Sequence, residues 1–176
     1  MSASETRERN QTLYKTAKVD GLDIFYREAG PRDAPAILLL HGFPTSSHMF
    51  RNLIMRLSDK FHLVAPDYPG YGNSSAPPVD AFDYSFDHMA EMVEKFMQQM
   101  QLDRFSMYLQ DYGAPIGFRI AAKHPDWIEG LIIQNGNAYE EGLKDFWIPL
   151  KAYWQNRSKE NEEALRKFLT IDATKW

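Results

Sequence analysis

The sequence predicts an α/β fold, a mostly parallel sheet with helices on both faces and an antiparallel hairpin at one edge. Three observations predict it. Apolar runs of strand length, at 36–40, 61–65, 105–110 and 128–134, are near-continuous, as strands buried on both faces require. Segments with apolar residues at helical spacing lie between them. Before the first run, two strand-like stretches flank Asp20-Gly21, a hairpin signal.

Element by element, residues 1–13 are polar and aperiodic and are expected to be a flexible N-terminus. Tyr14 to Asp20 and Leu22 to Glu28 form the hairpin, and Gly30-Pro31-Arg32-Asp33 is a loop. Ala36-Ile37-Leu38-Leu39-Leu40 is the first buried strand. Met49, Phe50, Leu53, Ile54 and Leu57 mark a helix. Phe61 to Ala65 is the next strand, followed by a loop rich in Gly, Pro and Ser from Tyr68 to Pro78. Phe86, Met89, Val93, Phe96, Met97 and Met100 share one face of a strong amphipathic helix with Ser85 as N-cap. Phe105 to Gln110 is a strand, Pro115 to Lys123 a short helix stopped before Pro125, and Ile128 to Gln134 a strand. After Asn137 the alternation ends. Leu143, Phe146, Trp147, Leu150, Tyr153 and Trp154 read as one helical stripe kinked at Pro149, and Glu162 to Leu169 as another helix. The expected division is therefore 1–13, a core over 14–136, and a helical layer over 137–176.

Composition narrows the function. The chain has 176 residues, 44% of them hydrophobic, enough for one sizeable core. A net charge of −4 argues against nucleic acid as a partner. The absence of cysteine excludes disulfides and thiolate metal sites and fits a reducing compartment. No apolar run reaches membrane-spanning length, and the first residues lack the apolar core of a signal peptide. The expected location is the cytoplasm, with no membrane, metal or cofactor involved.

In parallel sheets, ligands bind at the carboxyl ends of the strands, so three loops carry the candidate chemistry. His41-Gly42-Phe43-Pro44-Thr45-Ser46-Ser47 puts a glycine directly after a buried strand. It reads as backbone N–H groups aimed at one point, or as a plain loop with a hydroxyl cap and a packed His41. Asp67-Tyr68-Pro69-Gly70-Tyr71-Gly72-Asn73-Ser74 has no nucleotide-binding spacing, and Asp67 reads as a loop-holding residue. In Leu109-Gln110-Asp111-Tyr112-Gly113-Ala114-Pro115, a sharp strand-to-helix turn lifts Asp111 above the sheet beside the positive end of a helix. The carboxylate there is either a nucleophile or a helix cap.

The order and spacing of the three loops, with the sheet pattern, resemble the α/β-hydrolase fold family and, within it, the aspartate-nucleophile branch of epoxide hydrolases and haloalkane dehalogenases. The resemblance runs from Tyr14 to the last residue. His41-Gly42-Phe43-Pro44 resembles that branch's oxyanion loop. The segment from Asp67 to Ser74 resembles its Asp-x-x-Gly-x-Gly-x-Ser loop, and Gln110-Asp111-Tyr112-Gly113 its nucleophile elbow. Residues 137–176 resemble the start of its helical cap. The resemblance implies Asp111 as nucleophile, forming an alkyl-enzyme ester, with the N–H groups of Phe43 and Tyr112 as oxyanion hole. It also implies a small apolar organic substrate in a pocket lined by His41, Gly42, Phe43, Pro44, Tyr139, Trp147 and Tyr153.

Three departures shape the expectation. Leu109 stands where the elbow carries its leading glycine. Tyr112 replaces the halide-holding tryptophan of dehalogenases, and Phe43 their oxyanion-loop asparagine. Both favour epoxide chemistry, for which Tyr139 and Tyr153 are candidate proton donors, set against simple packing. Finally, the histidines are His41, His48, His62, His88 and His124, whereas the family's base follows the last strand. His124 closes the helix after the elbow, ~13 Å away along a helix of about nine residues. Asn135, Glu140 and Glu141 are near one family position for the acid, but none can be assigned. The expectation is thus a fold truncated before its last strands, inactive alone, covering roughly 60% of a typical member of ~280 residues. Its exposed last strand would favour self-association or a partner chain. The alternatives are a dehalogenase and a non-catalytic binding module on the same scaffold.

Overall fold

The computed structural model describes residues 11–166 and 170. Most of the expected flexible N-terminus, and positions 167–169 and 171–176 of the expected helical layer, lie outside the described residues. Packing divides the chain into two units, 1–136 and 137–176.

The first unit is built on a six-stranded sheet of order β1-β2-β4-β3-β5-β6. β1 (Leu13–Val19) and β2 (Leu22–Ala29) pair antiparallel. Asp20 and Gly21 join them with φ of 48° and 82°, the left-handed pair that matches the twist of a tight hairpin. β2 pairs antiparallel with β4 (His62–Pro66), while β3 (Ala36–Leu40), β4, β5 (Phe105–Gln110) and β6 (Ile128–Gln134) are mutually parallel. All residues of β3 and β4 are buried.

Two apolar clusters flank the sheet, and the period of two within β3 separates them. Ile37 and Leu39 face α1 (Arg51–Leu57) with Phe50, Ile54 and Leu63. Leu38 and Leu40 face α2 (Phe86–Gln99) and α3 (Gly113–Lys123) with Phe96, Met97, Met107, Leu109 and Ile116. The Ser85 hydroxyl accepts from the His88 N–H and starts α2. Helical structure before α1 begins earlier than the spacing predicted, as a 3₁₀ turn at Ser47–Phe50 capped by Ser46. The Ser46 hydroxyl favours that tighter start.

β6 ends the sheet among the described residues, leaving Leu131, Ile132 and Ile133 between 41% and 51% exposed. At the opposite end of the sheet from the β4 carboxyl terminus, Glu28 is buried. It accepts from His62 Nε2 at 2.9 Å and Lys15 Nζ at 2.6 Å, with Arg32 at 3.0 Å.

The second unit contains 3₁₀ turns at Glu140–Gly142 and Asp145–Trp147, then α4 (Ile148–Gln155) and α5 (Lys159–Arg166). The predicted single stripe kinked at Pro149 is not what forms. Pro149 sits in the first turn of α4, where its missing N–H costs nothing, so it begins the helix rather than bending it. Asn161 Nδ2 ties α5 to α4 by donating to the carbonyls of Ala152 (3.3 Å) and Asn156 (2.9 Å). Among the described residues, no helix is long and apolar enough to cross a membrane.

Candidate active site

β3, β4 and β5 run parallel and deliver His41, Asp67 and Asp111 to the same end of the sheet. The turn from β5 into α3 is abrupt. Asp111 has φ of 51°, a left-handed conformation that costs a non-glycine residue about 1–3 kcal/mol and is retained where surroundings demand it. Gly113 allows the approach of α3, since a Cβ there would overlap the Leu40 carbonyl.

The Asp111 carboxylate does not cap α3. Its Oδ1 accepts from Phe43 N–H at 2.9 Å, 68 residues away in sequence, and from Tyr112 N–H at 2.7 Å. Asp111 Oδ2 has no hydrogen-bond partner among the described residues. Two amides from different loops thus converge on one oxygen and leave the other free.

Gly42 makes this convergence possible. A Cβ there would overlap the Asp111 Cβ and lie 2.6 Å from both Asp111 Oδ1 and Gln110 Oε1. The loop then folds on itself, with Thr45 N–H and Thr45 Oγ1 both donating to the Gly42 carbonyl and a cis peptide between Phe43 and Pro44. Phe43 and Pro44 are exposed, Gly42 is buried, and His41 is wholly buried behind the loop. His41, expected to line a pocket, is stacked on Tyr68 at 4.2 Å, with Tyr71 edge-on at 5.3 Å. Burial pushes the His41 imidazole down in pKa, against the opposing pull of its Gly42 carbonyl contact and the Asp67 and Asp111 charges.

Asp67 is fully buried and joins two loops. Its Oδ1 accepts from Ser47 N–H at 2.7 Å and its Oδ2 from Asn73 N–H at 2.9 Å. Gly72 clears the space, because a Cβ there would overlap the Asp67 carboxylate.

Aromatic rings surround Asp111. Phe43 packs against Tyr112 at 5.6 Å and against Tyr71 at 6.5 Å, and Phe86 meets Tyr112 edge-on at 5.0 Å. Burial first, and the Asp111 charge second, push the Tyr112 phenol up to about 12. Burial, then Tyr112 and Asp111, push Tyr71 up as well. Both phenols therefore stay protonated at neutral pH. Neither Tyr71 nor Phe86 was singled out from sequence. The glycines flanking Tyr71 were the available signal for the first, whereas Phe86 was absorbed into the core stripe of its helix.

No histidine hydrogen bonds to Asp111 among the described residues. His62 pairs with Glu28, and His124 pairs with Glu94 at 2.9 Å while stacking on Trp127. His88 contacts the Asp83 carbonyl, and His48 lies near Arg27. Tyr139, Trp147 and Tyr153 belong to the second unit. There the Tyr139 carbonyl accepts from Asn137 Nδ2, Trp147 lies 5.9 Å from Trp154, and Tyr153 is in α4. Asn135, at φ of 49°, directly follows β6, and Glu140 and Glu141 belong to the first 3₁₀ turn of the second unit.

A family model described as the α/β hydrolase fold matches residues 35–171. An uncharacterized hydrolase of Saccharomyces cerevisiae is 51% identical over 145 residues, 82% of this chain and 49% of its own length. A haloalkane dehalogenase of Bradyrhizobium diazoefficiens is 35% identical over 156 residues, 89% of this chain and 49% of its own. A solved structure of an epoxide hydrolase mutant from Vigna radiata aligns with a TM-score of 0.64 at 29% identity. That alignment covers 70% of this chain and 38% of the other. The chain spans about half the length of the two curated relatives.

Proposed function

The chain belongs to the α/β hydrolase fold family, and from that premise we propose that it is the nucleophile-bearing part of an epoxide-hydrolase-like enzyme, with Asp111 attacking carbon. The observation that carries the proposal is the pair of amides on Asp111 Oδ1, at 2.9 and 2.7 Å, with Oδ2 left free. In the proposed step Oδ2 attacks a ring carbon of the epoxide and the C–O bond breaks. Its electron pair goes to the ring oxygen, which takes a proton from a neighbouring donor. The product is an ester on Asp111. When water later attacks the ester carbonyl, charge gathers on Oδ1, where the Phe43 and Tyr112 amides already point. Phe43 and Pro44 are assigned to an apolar substrate-binding surface beside Asp111, with Gly42 as the close-approach point and buried His41 supporting the loop from behind.

Ester hydrolysis needs a base, and the five histidines of this sequence are engaged elsewhere or buried. We assign the first half-reaction to these 176 residues and not the second. Incubation with styrene oxide followed by intact mass measurement tests this. The expected result is a stable gain of one epoxide mass that is abolished in Asp111→Ala. No gain in the wild-type chain, or a gain that persists in Asp111→Ala, overturns it.

A second reading, a haloalkane dehalogenase, is favoured by the name of the Bradyrhizobium relative. It is opposed by Tyr112 and Phe43 where dehalogenases present tryptophan and asparagine to halide. Stoichiometric bromide release from 1-bromobutane, with no adduct from styrene oxide, would select it. A binding module is the remaining reading, favoured by the exposed Leu131, Ile132 and Ile133 on β6, with strand addition by a second copy or a partner chain as its mode.

A further inference from the structure

β2 carries a buried arginine in the interior of the sheet. Arg27 is paired with Tyr14 of β1 on one side and Ala65 of β4 on the other, and is only 7% exposed. Its guanidinium lies 4.9 Å from the Tyr14 ring centre and 5.6 Å from that of Phe25. Nε donates to Ser47 Oγ at 3.1 Å, and Nη2 lies 3.4 Å from His48 Nδ1. None of these groups is an anion, and among the described residues no carboxylate comes within 4.0 Å of Arg27. A guanidinium cannot shed its proton, so its burial calls for opposite charge nearby.

That charge is one residue away. Ser47 is fully buried; its hydroxyl accepts from Arg27 while its N–H donates to Asp67 Oδ1 at 2.7 Å. Asp67 is also fully buried. Its other oxygen takes a second backbone N–H, and no side-chain cation reaches it among the described residues. The two buried side chains share a single residue, Ser47, as their bridge.

We infer that Arg27 is a positioning residue for the Asp111 site: bridged through Ser47 to Asp67, it fixes the loop from which the Phe43 amide reaches Asp111 Oδ1. The inference rests on the reading of Asp111 given above. The link from Ser47 to Phe43 is short and stiff. Met49 N–H donates to the Ser46 carbonyl, and Thr45 closes back on Gly42 through both its N–H and its hydroxyl. Displacement at Ser47 therefore propagates to Phe43 instead of being absorbed by slack chain. A charge in the interior is otherwise a costly choice for this strand. The β2 residues that share its face, Phe25 and Ala29, are apolar, and a methionine would fill the same volume without desolvating a cation.

The test compares wild type with Arg27→Met, Arg27→Lys, Asp67→Asn and the Arg27→Met/Asp67→Asn pair. Three quantities are read: ester formation from styrene oxide, Phe43 amide hydrogen exchange, and the thermal midpoint. In Arg27→Met, ester formation should slow by on the order of tenfold to a hundredfold, as expected of a misplaced reacting group. The half-saturating epoxide concentration should be little changed. Arg27→Lys, which keeps the charge, should recover most of the rate. Phe43 exchange should accelerate in Arg27→Met, and the midpoint losses of the two single variants should fail to add in the pair. A rate and a Phe43 exchange close to wild type in Arg27→Met would overturn the inference, as would strictly additive midpoint losses. Ser47→Ala, which removes only the bridging hydroxyl, replaces Arg27→Met should that variant not fold, with the same expected directions. Should the wild-type chain form no ester, the reading of Asp111 fails. Phe43 exchange and the midpoint cycle would then still decide whether Arg27 holds the loop.

Discussion

Replacing Glu28 with glutamine probes the electrostatic anchor at the end of the sheet away from Asp111. The hydrogen bond from His62 is the largest influence on the Glu28 carboxyl. With Lys15 and Arg32 it outweighs burial and holds the group at about 2, against an ordinary 4.5. Between those two values the unfolded chain binds a proton that the folded chain does not. Stability from this group is therefore complete above 4.5 and drains away as pH falls toward 2. At about 1.4 kcal/mol per pH unit, the gap corresponds to about 3 kcal/mol at neutral pH, or roughly 6–12 °C in Tm for a chain of this size. The assay is urea and thermal unfolding of wild type and Glu28→Gln from pH 7 to pH 3. The variant should be less stable at pH 7, and the difference between the two proteins should narrow steadily below pH 4.5. Other carboxyls contribute equally to both proteins and cancel in that difference. Parallel pH profiles for the two proteins would refute the reasoning, because the buried carboxyl would then carry no linked proton.

The remaining predictions address the site, the core and the edge. Gly42→Ala should cut ester formation from styrene oxide by on the order of a hundredfold with an unchanged far-UV circular dichroism spectrum, since the added methyl meets Asp111 directly. Retained rate would show that the loop yields to the methyl. Phe96, fully buried and edge-on to Tyr26 at 5.1 Å, should cost about 3–5 kcal/mol when cut to alanine, read as a lowered urea midpoint. Ile132→Lys places a charge on the exposed β6 edge and should shift any self-associated species toward monomer in size-exclusion chromatography. An unaltered association would locate it on another surface.

Much of the first unit was legible because its strands obey one simple rule. Ala36–Leu40 and His62–Pro66 are wholly buried, so an uninterrupted apolar run marks them. The long stripe from Phe86 and the Ser85 cap did the same for α2. That the loops after Leu40 and Gln110 open at the same end of the sheet was legible from its parallel strands, whereas the roles of the Phe43 and Tyr112 amides came only from the family resemblance. Periodicity cannot name a neighbour from another element, so the ring of Tyr71, Phe43, Tyr112 and Phe86 escaped notice. Arg27 escaped for a related reason. A charged residue in a strand reads as solvent-facing until the rings of Tyr14 and Phe25 and the Ser47 loop are found against its face. Pro149 was misplaced because its effect depends on position within a helix, and two short 3₁₀ turns before it have no strong sequence signature.

The amides of Phe43 and Tyr112 are already filled by an oxygen belonging to the protein itself. Small carboxylate ions such as acetate or formate consequently meet no vacant donor pair at this corner, and buffer anions should not compete there. An incoming electrophile has no tightly held solvent to expel from those two N–H groups. Only the second oxygen of Asp111 must be uncovered, so selectivity at this corner rests on what can reach that one atom.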